Sequence, residues 1–315
     1  MIKFKKPKFW DLKKPSIISY FLLPLTLPVF INNLILNFKS SKKNKKIKSI
    51  CIGNIYLGGT GKTPTVIKLF EILNNLNLKV STGKKSYSSQ LDEKIILQKK
   101  TNLIEAKNRK MILNEAIKNH QNIIIFDDGL QDKGVSYDLQ FVCFDMNNFI
   151  GNGQLLPSGP LREKISSLIK YDAVFLKGEN DKLTNHIDLI KSQNENIKIF
   201  ETYFEIDNIN KFNPSDNYLI FSGIGNPNSF KNLLKKNNFN IIKEIIFPDH
   251  YDYTKHEIEK LKIQAKNINA KIITTEKDFV KIAELDSGNI DFVEVKLKIK
   301  NEENLINFLK TKMYE

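Results

Sequence analysis

Short apolar runs alternate with helical segments along the chain from Lys48 onward. The apolar runs predict strands, and the alternation is typical of an α/β protein with a mostly parallel sheet. Predicted strands lie at 49–52, 79–81, 122–126, 139–144 and 173–176, and in a second series at 200–205, 218–221, 241–247, 271–275 and 292–296. Predicted helices lie at 62–74, 110–119, 229–235, 255–266 and 303–312.

The start of the chain has a different pattern, because residues 16–38 contain no charged side chain. This stretch is long enough to cross a bilayer, for which about 20 apolar residues suffice. Pro24 and Pro28 interrupt a straight helix. Lysines flank the stretch on both sides: Lys3, Lys5, Lys6, Lys8, Lys13 and Lys14 before it, and Lys39, Lys42, Lys43, Lys45, Lys46 and Lys48 after it.

These two lysine clusters decide how the stretch meets a membrane. A single span would put one cluster on the wrong side, against the positive-inside tendency. A broken, interfacial or hairpin-like anchor keeps both clusters on the cytosolic, anionic leaflet. A buried helical hairpin is the alternative. Trp10, which lies among the first lysines, is expected at the membrane interface.

A glycine-rich stretch, "GNIYLGGTGKTP", follows the first predicted strand and leads into a helix. A strand, a glycine loop and a helix N-terminus together form a cradle for phosphate, with a lysine for the outer phosphates and a hydroxyl for Mg²⁺. Tyr56 stands where the strict Walker pattern requires glycine, so a purely structural turn is the alternative. The residues predicted to bind nucleotide are Gly58, Gly59, Thr60, Gly61, Lys62 and Thr63.

A second motif, "NIIIFDDGLQD", is an apolar strand that ends in Asp127 and Asp128. A carboxylate at this place in a nucleotide-binding protein holds Mg²⁺, directly or through water, against the β- and γ-phosphates of ATP. Acidic pairs at strand ends are also common as solvated turns. The order of the two motifs in an α/β chain favours a site for ATP and Mg²⁺ with Thr63, Asp127 and Asp128 as metal ligands.

The charge of the chain favours anionic partners, since the formal net charge is +14 and lysine supplies almost all the cations. An anionic membrane surface is one such partner. Nucleic acid is not expected, because the lysines are spread over helix faces without interleaved aromatic side chains. Cys51 and Cys143 lie in apolar strands, which indicates buried reduced thiols and no disulfide framework.

Six sequence blocks resemble those of the tetraacyldisaccharide 4′-kinase family, in the same order and spacing. The blocks are "GNIYLGGTGKTP", "DDGLQ", "GNGQLLPSGPLRE", "GIGNP", "FPDHYDYT" and "TTEKD". The family's loop also lacks the early Walker glycine, and its members carry an N-terminal hydrophobic anchor. The resemblance implies transfer of the ATP γ-phosphate to the 4′-hydroxyl of a tetraacyldisaccharide 1-phosphate, giving lipid IVA for lipid A, at the cytoplasmic face of the inner membrane.

The resemblance also implies roles for individual residues. Asp92 matches the acidic residue taken as catalytic base, and His250 lies beside it. Lys62 matches the catalytic lysine of the loop. Arg162 and Glu163, at the end of the "GPLRE" block, are expected close to the active site.

The predicted organisation is a membrane-associated segment at 1–45, a P-loop kinase-like domain at 46–206 and a smaller α/β domain at 207–315. These boundaries put Asp92 and His250 in different domains, so they are expected to meet across a cleft. Lys277 and Asp278 are expected to stabilise the C-terminal domain. The chain departs from the family at Thr82 and Lys84, at Leu91 and at Asp132, so any role for these positions is open.

A membrane-bound P-loop NTPase that acts as a switch or in transport is the alternative function. It would need a residue that activates water near the γ-phosphate, and no part of the sequence marks one.

Overall fold

The computed structural model describes residues 6–38, 43–86, 91–178, 183–285 and 287–314. Lys3, Lys5, Lys39 and Lys42 of the predicted lysine clusters lie outside these ranges. The strands are β1 Lys48–Gly53, β2 Val80–Lys85, β3 Leu103–Ala106, β4 Ile123–Asp127, β5 Leu139–Asp145, β6 Ala173–Lys177, β7 Lys198–Ile206, β8 Asn217–Ser222, β9 Asn240–Ile246, β10 Lys271–Thr275, β11 Ile290–Val293 and β12 Val295–Ile299. The α-helices are α1 Ile17–Leu22, α2 Leu27–Phe38, α3 Lys62–Asn75, α4 Leu91–Lys100, α5 Arg109–Lys118, α6 Leu183–Gln193, α7 Pro227–Lys236, α8 Lys255–Asn267, α9 Glu276–Ile282 and α10 Glu302–Tyr314.

The described chain divides by its internal contacts into two compact units. The large unit contains residues 6–38, 43–86, 100–178, 183–203 and 298–314, and the small unit contains 91–99, 204–285 and 287–297. Residues 91–99 were predicted in the P-loop domain at 46–206, but they make their contacts within the small unit. The predicted boundaries are continuous ranges and therefore do not include this segment in the C-terminal domain.

An eight-stranded sheet, in the order β12-β7-β6-β5-β1-β4-β2-β3, contains the strands of the large unit. Each pairing from β3 to β7 is parallel. β1 and β4 are buried along nearly their whole length, because helices cover both faces of a parallel sheet. In α3, Val66, Leu69 and Leu73 recur at helical spacing and are completely buried. The sheet therefore fixes the ends of β1 and β4 beside each other.

A four-stranded parallel sheet, in the order β11-β10-β8-β9, forms the core of the small unit. The strand expected at 200–205, which lies inside the predicted domain at 46–206, is β7 of the eight-stranded sheet. One detail of the second predicted series was wrong. The strand expected at 292–296 divides at Glu294 into β11 and β12, which belong to different sheets. Local apolar content predicts a strand well, but it does not identify its neighbours.

The N-terminal segment is helical, with a 3-10 turn at Leu23–Thr26 between α1 and α2. Pro24 stands at the start of that turn, where its missing N–H costs nothing. Ile17–Leu36 is long and apolar enough to span a membrane by length and composition, and 6% of it is buried. Ile17 and Phe21 are 76% and 78% exposed. The predicted apolar helix is present, and it is not the buried core hairpin considered as the alternative.

Part of the N-terminal segment packs against the loop that carries the "GNGQLLPSGPLRE" block, residues 151–163. Ser158 Oγ donates to the carbonyl of Ser19 at 2.6 Å, and Asn152 Nδ2 donates to Ser19 Oγ at 3.0 Å. Asn33 Nδ2 in α2 donates to the carbonyl of Arg162 at 2.8 Å. We call these contacts the N-terminal seam. They tie the apolar helix to one particular loop of the large unit.

Trp10 belongs to the same seam. It is 2% exposed, and its Nε1 donates to the carbonyl of Pro157 at 3.0 Å. The expectation of an interfacial tryptophan was wrong, because the indole finds a buried acceptor. Gly151 has φ of +56°, and a Cβ there would lie 2.2 Å from the carbonyl oxygen of Trp10. Only glycine permits this close approach.

Candidate active site

The phosphate loop lies between β1 and α3 at the carboxyl edge of the large sheet. Gly61 immediately precedes α3 in the left-handed conformation, with φ of +88°, and no side chain caps the helix. Asn54 Nδ2 supports the loop from inside, donating to the carbonyl of Gly58 at 3.2 Å and to Thr60 Oγ1 at 3.1 Å. Because the first N–H groups of an uncapped helix need acceptors, this helix end suits an anion.

Tyr56 explains why the loop does without the early Walker glycine. Its ring is 2% exposed and packs with Leu155 and Leu161, and it also lies against Gly58 of the loop, where a Cβ would be 3.2 Å from the ring. Its hydroxyl accepts from Lys6 Nζ and donates to Asp11 Oδ1, both at 2.6 Å. Burial, followed by the hydrogen bond to Asp11, raises the pKa of the Tyr56 hydroxyl above its usual range. The side chain therefore belongs to the interior of the large unit.

Asp127 ends β4 and is 1% exposed. Lys84 Nζ donates to its Oδ2 at 2.8 Å, and Thr63 Oγ1 donates to the same oxygen at 3.4 Å. The other oxygen, Oδ1, is buried and has no hydrogen-bond partner among the described residues. A buried carboxylate oxygen without a partner is costly, so this atom has room for one more ligand.

Asp128 follows in a left-handed conformation, with φ of +52°, which aspartate tolerates better than most residues. Its carboxylate lies 3.0 Å from Arg162 Nη1 and 3.8 Å from Lys62 Nζ. Lys62 comes from the phosphate loop and Arg162 from the end of the "GPLRE" block, so the structure brings three predicted site residues together in the large unit.

Glu163 has a different environment from Arg162. It is 6% exposed and accepts hydrogen bonds from Gln131 Nε2 at 2.8 Å and from the Tyr171 hydroxyl at 2.9 Å. Gln131 Nε2 also donates to the carbonyl of Asn54 beneath the phosphate loop, at 3.1 Å. Glu163 therefore fixes the loop support through Gln131, and its own oxygens are already occupied.

The donor set near Asp127 is suited to Mg²⁺. The oxygens of Thr63, Asp127 and Asp128 are hard ligands, and Asp127 Oδ1 lacks a partner. In the part of the chain that the structure describes, no group of three or more His, Cys, Asp or Glu side chains forms a metal cage. This sparse set agrees with Mg²⁺, which usually keeps waters and substrate phosphates as its other ligands.

Asp92 and His250 meet within the small unit. Asp92 lies in the first turn of α4 and is 1% exposed, and His250 Nδ1 lies 3.1 Å from its Oδ2 and 3.2 Å from its Oδ1. The expected pairing is present, but the expectation that it joins two domains was wrong, because both residues belong to the small unit.

Two lysines of α9 complete the surroundings of Asp92. Lys281 Nζ lies 3.5 Å and Lys277 Nζ 3.7 Å from Asp92 Oδ2, and Lys277 Nζ also pairs with Glu93 at 2.7 Å. Burial alone would raise the pKa of Asp92. The hydrogen bond from His250 and the charges of both lysines outweigh burial and hold that pKa well below its usual range.

Asp278, next to Lys277, has the structural environment expected of it. It is completely buried and accepts from the Tyr253 hydroxyl at 2.8 Å, the Thr275 hydroxyl at 2.7 Å and the backbone N–H of Gly223 at 3.1 Å. Lys277 pairs with Asp92 and Glu93, which belong to the same unit.

Three side chains near these sites were not singled out as site residues from the sequence: Lys84, Gln131 and Lys281. Lys84 reaches Asp127 because β2 and β4 pair in parallel with Gly83 beside Phe126. The one available signal was that Lys84 lies three positions after the predicted strand at 79–81, where the chain departs from the family. Strand order, which the sequence pattern does not provide, turns that position into a contact.

A glycine loop that ends in Gly-Lys-Thr at a helix start, beside an aspartate pair on the neighbouring parallel strand, defines a P-loop nucleotide-binding protein of the α/β class. Residues 21–314 match the profile of LpxK, described as tetraacyldisaccharide-1-P 4′-kinase. The chain belongs to this family and is therefore a kinase. The membership selects the kinase over the NTPase alternative.

Individual relatives agree with this assignment. The chain is 47% identical over 310 residues to the tetraacyldisaccharide 4′-kinase of Pelagibacter ubique, covering 98% of each chain. It is 37% identical over 327 residues to the enzyme of the same name from Rickettsia bellii, covering 96% of each. The crystal structure of LpxK from Aquifex aeolicus in complex with ATP superposes with a TM-score of 0.70 at 21% identity, covering 95% of this chain and all of that one. This last likeness confirms the fold class.

Proposed function

We propose that the chain transfers the γ-phosphoryl group of ATP to the 4′-hydroxyl of a tetraacyldisaccharide 1-phosphate, the step that forms lipid IVA in lipid A biosynthesis. The observation that carries the proposal is the position of Gly61, Lys62 and Thr63 beside Asp127 and Asp128 in the large unit. A lipid-linked disaccharide is the acceptor that the family membership supports.

The large unit supplies the electrostatic part of the reaction. The uncapped start of α3 binds phosphate oxygens, and Lys62 neutralises charge on the phosphoryl group that is transferred. Thr63, Asp127 and Asp128 would hold Mg²⁺, which would neutralise negative charge on the phosphates of ATP. Arg162 holds Asp128 in place, and its positive charge can stabilise negative charge that develops on the transferred phosphoryl group.

The small unit supplies the proton acceptor. A bond forms between the sugar oxygen and the γ-phosphorus while the bond from phosphorus to the bridging oxygen of ADP breaks. The hydroxyl proton passes to the Asp92–His250 pair. A positioned base of this kind contributes about 10²–10⁴-fold to a rate.

The N-terminal segment is proposed to hold the protein at the cytoplasmic face of the inner membrane, as a monotopic or peripheral anchor. The exposed apolar side chains of Ile17 and Phe21 support this placement, as do the flanking lysines that favour an anionic surface. The acyl chains of the substrate lie in the same membrane.

The test uses the full chain in mixed micelles with γ-labelled ATP, Mg²⁺ and the tetraacyldisaccharide 1-phosphate. We expect label in a chloroform-soluble glycolipid. Lys62→Ala is expected to reduce that label about 10²–10³-fold, because it removes charge from the transferred group.

Lys68→Ala is the matched control, because Lys68 lies on the same helix and pairs with Glu302. It should retain activity. Label found only in free phosphate would instead support the NTPase alternative, and no release of label from ATP would contradict both.

A further inference from the structure

Helix α2 meets the large unit along one face. Val29, Asn33 and Leu36 are partly buried and recur at helical spacing, so they lie together on that face. The opposite surface is apolar and exposed, and it includes Leu27, Ile31, Leu34 and Ile35. Asn33 is therefore a polar side chain on the inward face of a helix whose outward face is suited to lipid.

Asn33 bonds to the backbone of a residue of the candidate active site. Its Nδ2 donates to the carbonyl of Arg162 at 2.8 Å. The N–H of Arg162 donates in turn to the carbonyl of Ile55 at 2.7 Å. Close by, the N–H of Leu57 donates to the carbonyl of Pro160 at 2.8 Å. The backbone of Arg162 is therefore held between α2 on one side and the segment that leads into the phosphate loop on the other.

The position of the Arg162 side chain depends on this backbone. Its Nη1 lies 3.0 Å from Asp128 Oδ1 and 3.3 Å from Gln131 Oε1. A long, partly exposed side chain has considerable rotamer freedom, so a fixed backbone narrows the positions that the guanidinium reaches. Lys164 makes a second contact between this loop and α2, since its Nζ lies 4.8 Å from the centre of the Phe30 ring.

The helix itself does not require asparagine at position 33. Leucine would continue the apolar run of Leu34 and Ile35, whereas an amide in an apolar environment is costly unless it is hydrogen-bonded. The acceptor that the amide reaches is the carbonyl of Arg162, whose side chain contacts Asp128. This acceptor connects the apolar helix to the carboxylates of the site.

We propose that Asn33 is a positioning residue for phosphoryl transfer: it holds the backbone of Arg162 so that the guanidinium stays beside Asp128 and the transferred phosphoryl group. The inference rests on the proposed function. Asn33 acts through Arg162 and not on the substrate. Because Asn33 belongs to α2, the placement of Arg162 depends on this helix being packed against the large unit.

The first test compares Asn33→Leu with Asn32→Leu in the mixed-micelle assay. The two changes make α2 more apolar to the same degree, but the side chain of Asn32 is exposed. Asn33→Leu should lower kcat for lipid phosphorylation about tenfold, because a hydrogen bond is lost and the guanidinium is misplaced. KM for ATP should change little, and Asn32→Leu should retain the kcat of the unaltered chain. An unchanged kcat in Asn33→Leu would overturn the inference.

A double variant separates positioning from a general loss of structure. If Asn33 acts through Arg162, adding Asn33→Leu to Arg162→Met should lower kcat little further than Arg162→Met alone. A loss equal to the product of the two single losses would show that Asn33 acts by another route and would contradict the inference.

Hydrogen exchange measures the same effect without turnover. In Asn33→Leu, the amides of residues 155–164, which include the N–H of Arg162, should exchange faster than in the unaltered chain, whereas the amides of β4 should not change. Asn32→Leu should match the unaltered chain. Equal exchange at 155–164 in the two variants would contradict the inference. Absence of lipid phosphorylation by the unaltered protein would instead overturn the proposed function.

Discussion

Two buried aspartates, Asp127 in the large unit and Asp92 in the small unit, are each 1% exposed and each face a lysine ammonium group. They differ in how many of their oxygens are engaged. Asp127 accepts from Lys84 and Thr63 through Oδ2 alone, and Oδ1 has no partner among the described residues. Asp92 has His250 within hydrogen-bond distance of both oxygens.

This difference separates two uses of the same functional group. A carboxylate with one unengaged oxygen can accept a further hard cation, and Mg²⁺ favours such oxygens. A carboxylate with both oxygens against an imidazole orients that ring instead. Lysine neutralises the charge of both aspartates, so the presence of a lysine does not distinguish the two uses. The unengaged oxygen of Asp127 distinguishes them.

The largest expected effect comes from breaking the Asp92 pair. Asp92→Ala and His250→Ala should each lower kcat for lipid phosphorylation by about 10²–10⁴-fold, with little change in KM for ATP. The double variant should be scarcely worse than the more damaged single one, because the two residues act as a unit. If the loss of kcat in the double variant equalled the product of the two single losses, Asp92 and His250 would have independent roles. The contrast drawn with Asp127 would then fail.

A somewhat smaller effect is expected at the Asp127 side. Asp127→Asn should lower kcat about 10²–10³-fold and raise the Mg²⁺ concentration needed for half-maximal rate, because an amide is a weaker ligand than a carboxylate. Asp92→Asn, an equally buried carboxylate change, should leave the Mg²⁺ requirement unaltered. Isothermal titration of Mg²⁺ with a non-hydrolysable ATP analogue gives a second readout. Equal Mg²⁺ responses in the two variants would contradict the distinction.

The smallest effect concerns Lys84, whose ammonium shares Asp127 with the proposed metal. Lys84→Met leaves a buried carboxylate unpaired, which should cost roughly 3 kcal/mol of unfolding free energy without metal. Mg²⁺ with an ATP analogue should restore part of that loss, so the thermal shift on adding them should exceed that of the unaltered chain.

Lys177→Met is the control for this measurement, because Lys177 forms a comparable buried pair with Asp145, at 2.7 Å, at the ends of β5 and β6. It should be destabilised to a similar degree but gain no extra shift. Equal shifts in the two variants would show that Lys84 has no connection with the metal.

The sequence was informative wherever a pattern is local. The glycine loop, the helix that begins at Lys62 and the strand that ends in Asp127 are all short-range patterns, and the structure contains each of them. The helix at Leu91–Lys100 was missed, because Ile95, Ile96 and Leu97 form a continuous apolar run without clear helical spacing. Such a run does not distinguish a helix from a strand.

The contacts that were missed join residues far apart in the chain. Lys84 lies 43 positions from Asp127, and Lys281 belongs to a helix that follows Asp92 by three strands (β8, β9 and β10) and two α-helices (α7 and α8) of the small unit. Neither pairing leaves a periodic trace in the sequence. Each depends on strand order or on which unit a helix joins, and those are properties of the whole fold.

The N-terminal seam bears on how a water-soluble form of this kinase can be obtained. Deleting the apolar helices would also remove Ser19 and Asn33, leaving the Ser158 hydroxyl and the Arg162 carbonyl of the loop at 151–163 without these partners. Such a truncated protein would be more soluble, but the loop that carries Arg162 would be destabilised. Replacing exposed apolar side chains such as Ile17 and Phe21 with polar ones, while keeping the helices, should weaken the proposed membrane attachment and preserve these contacts.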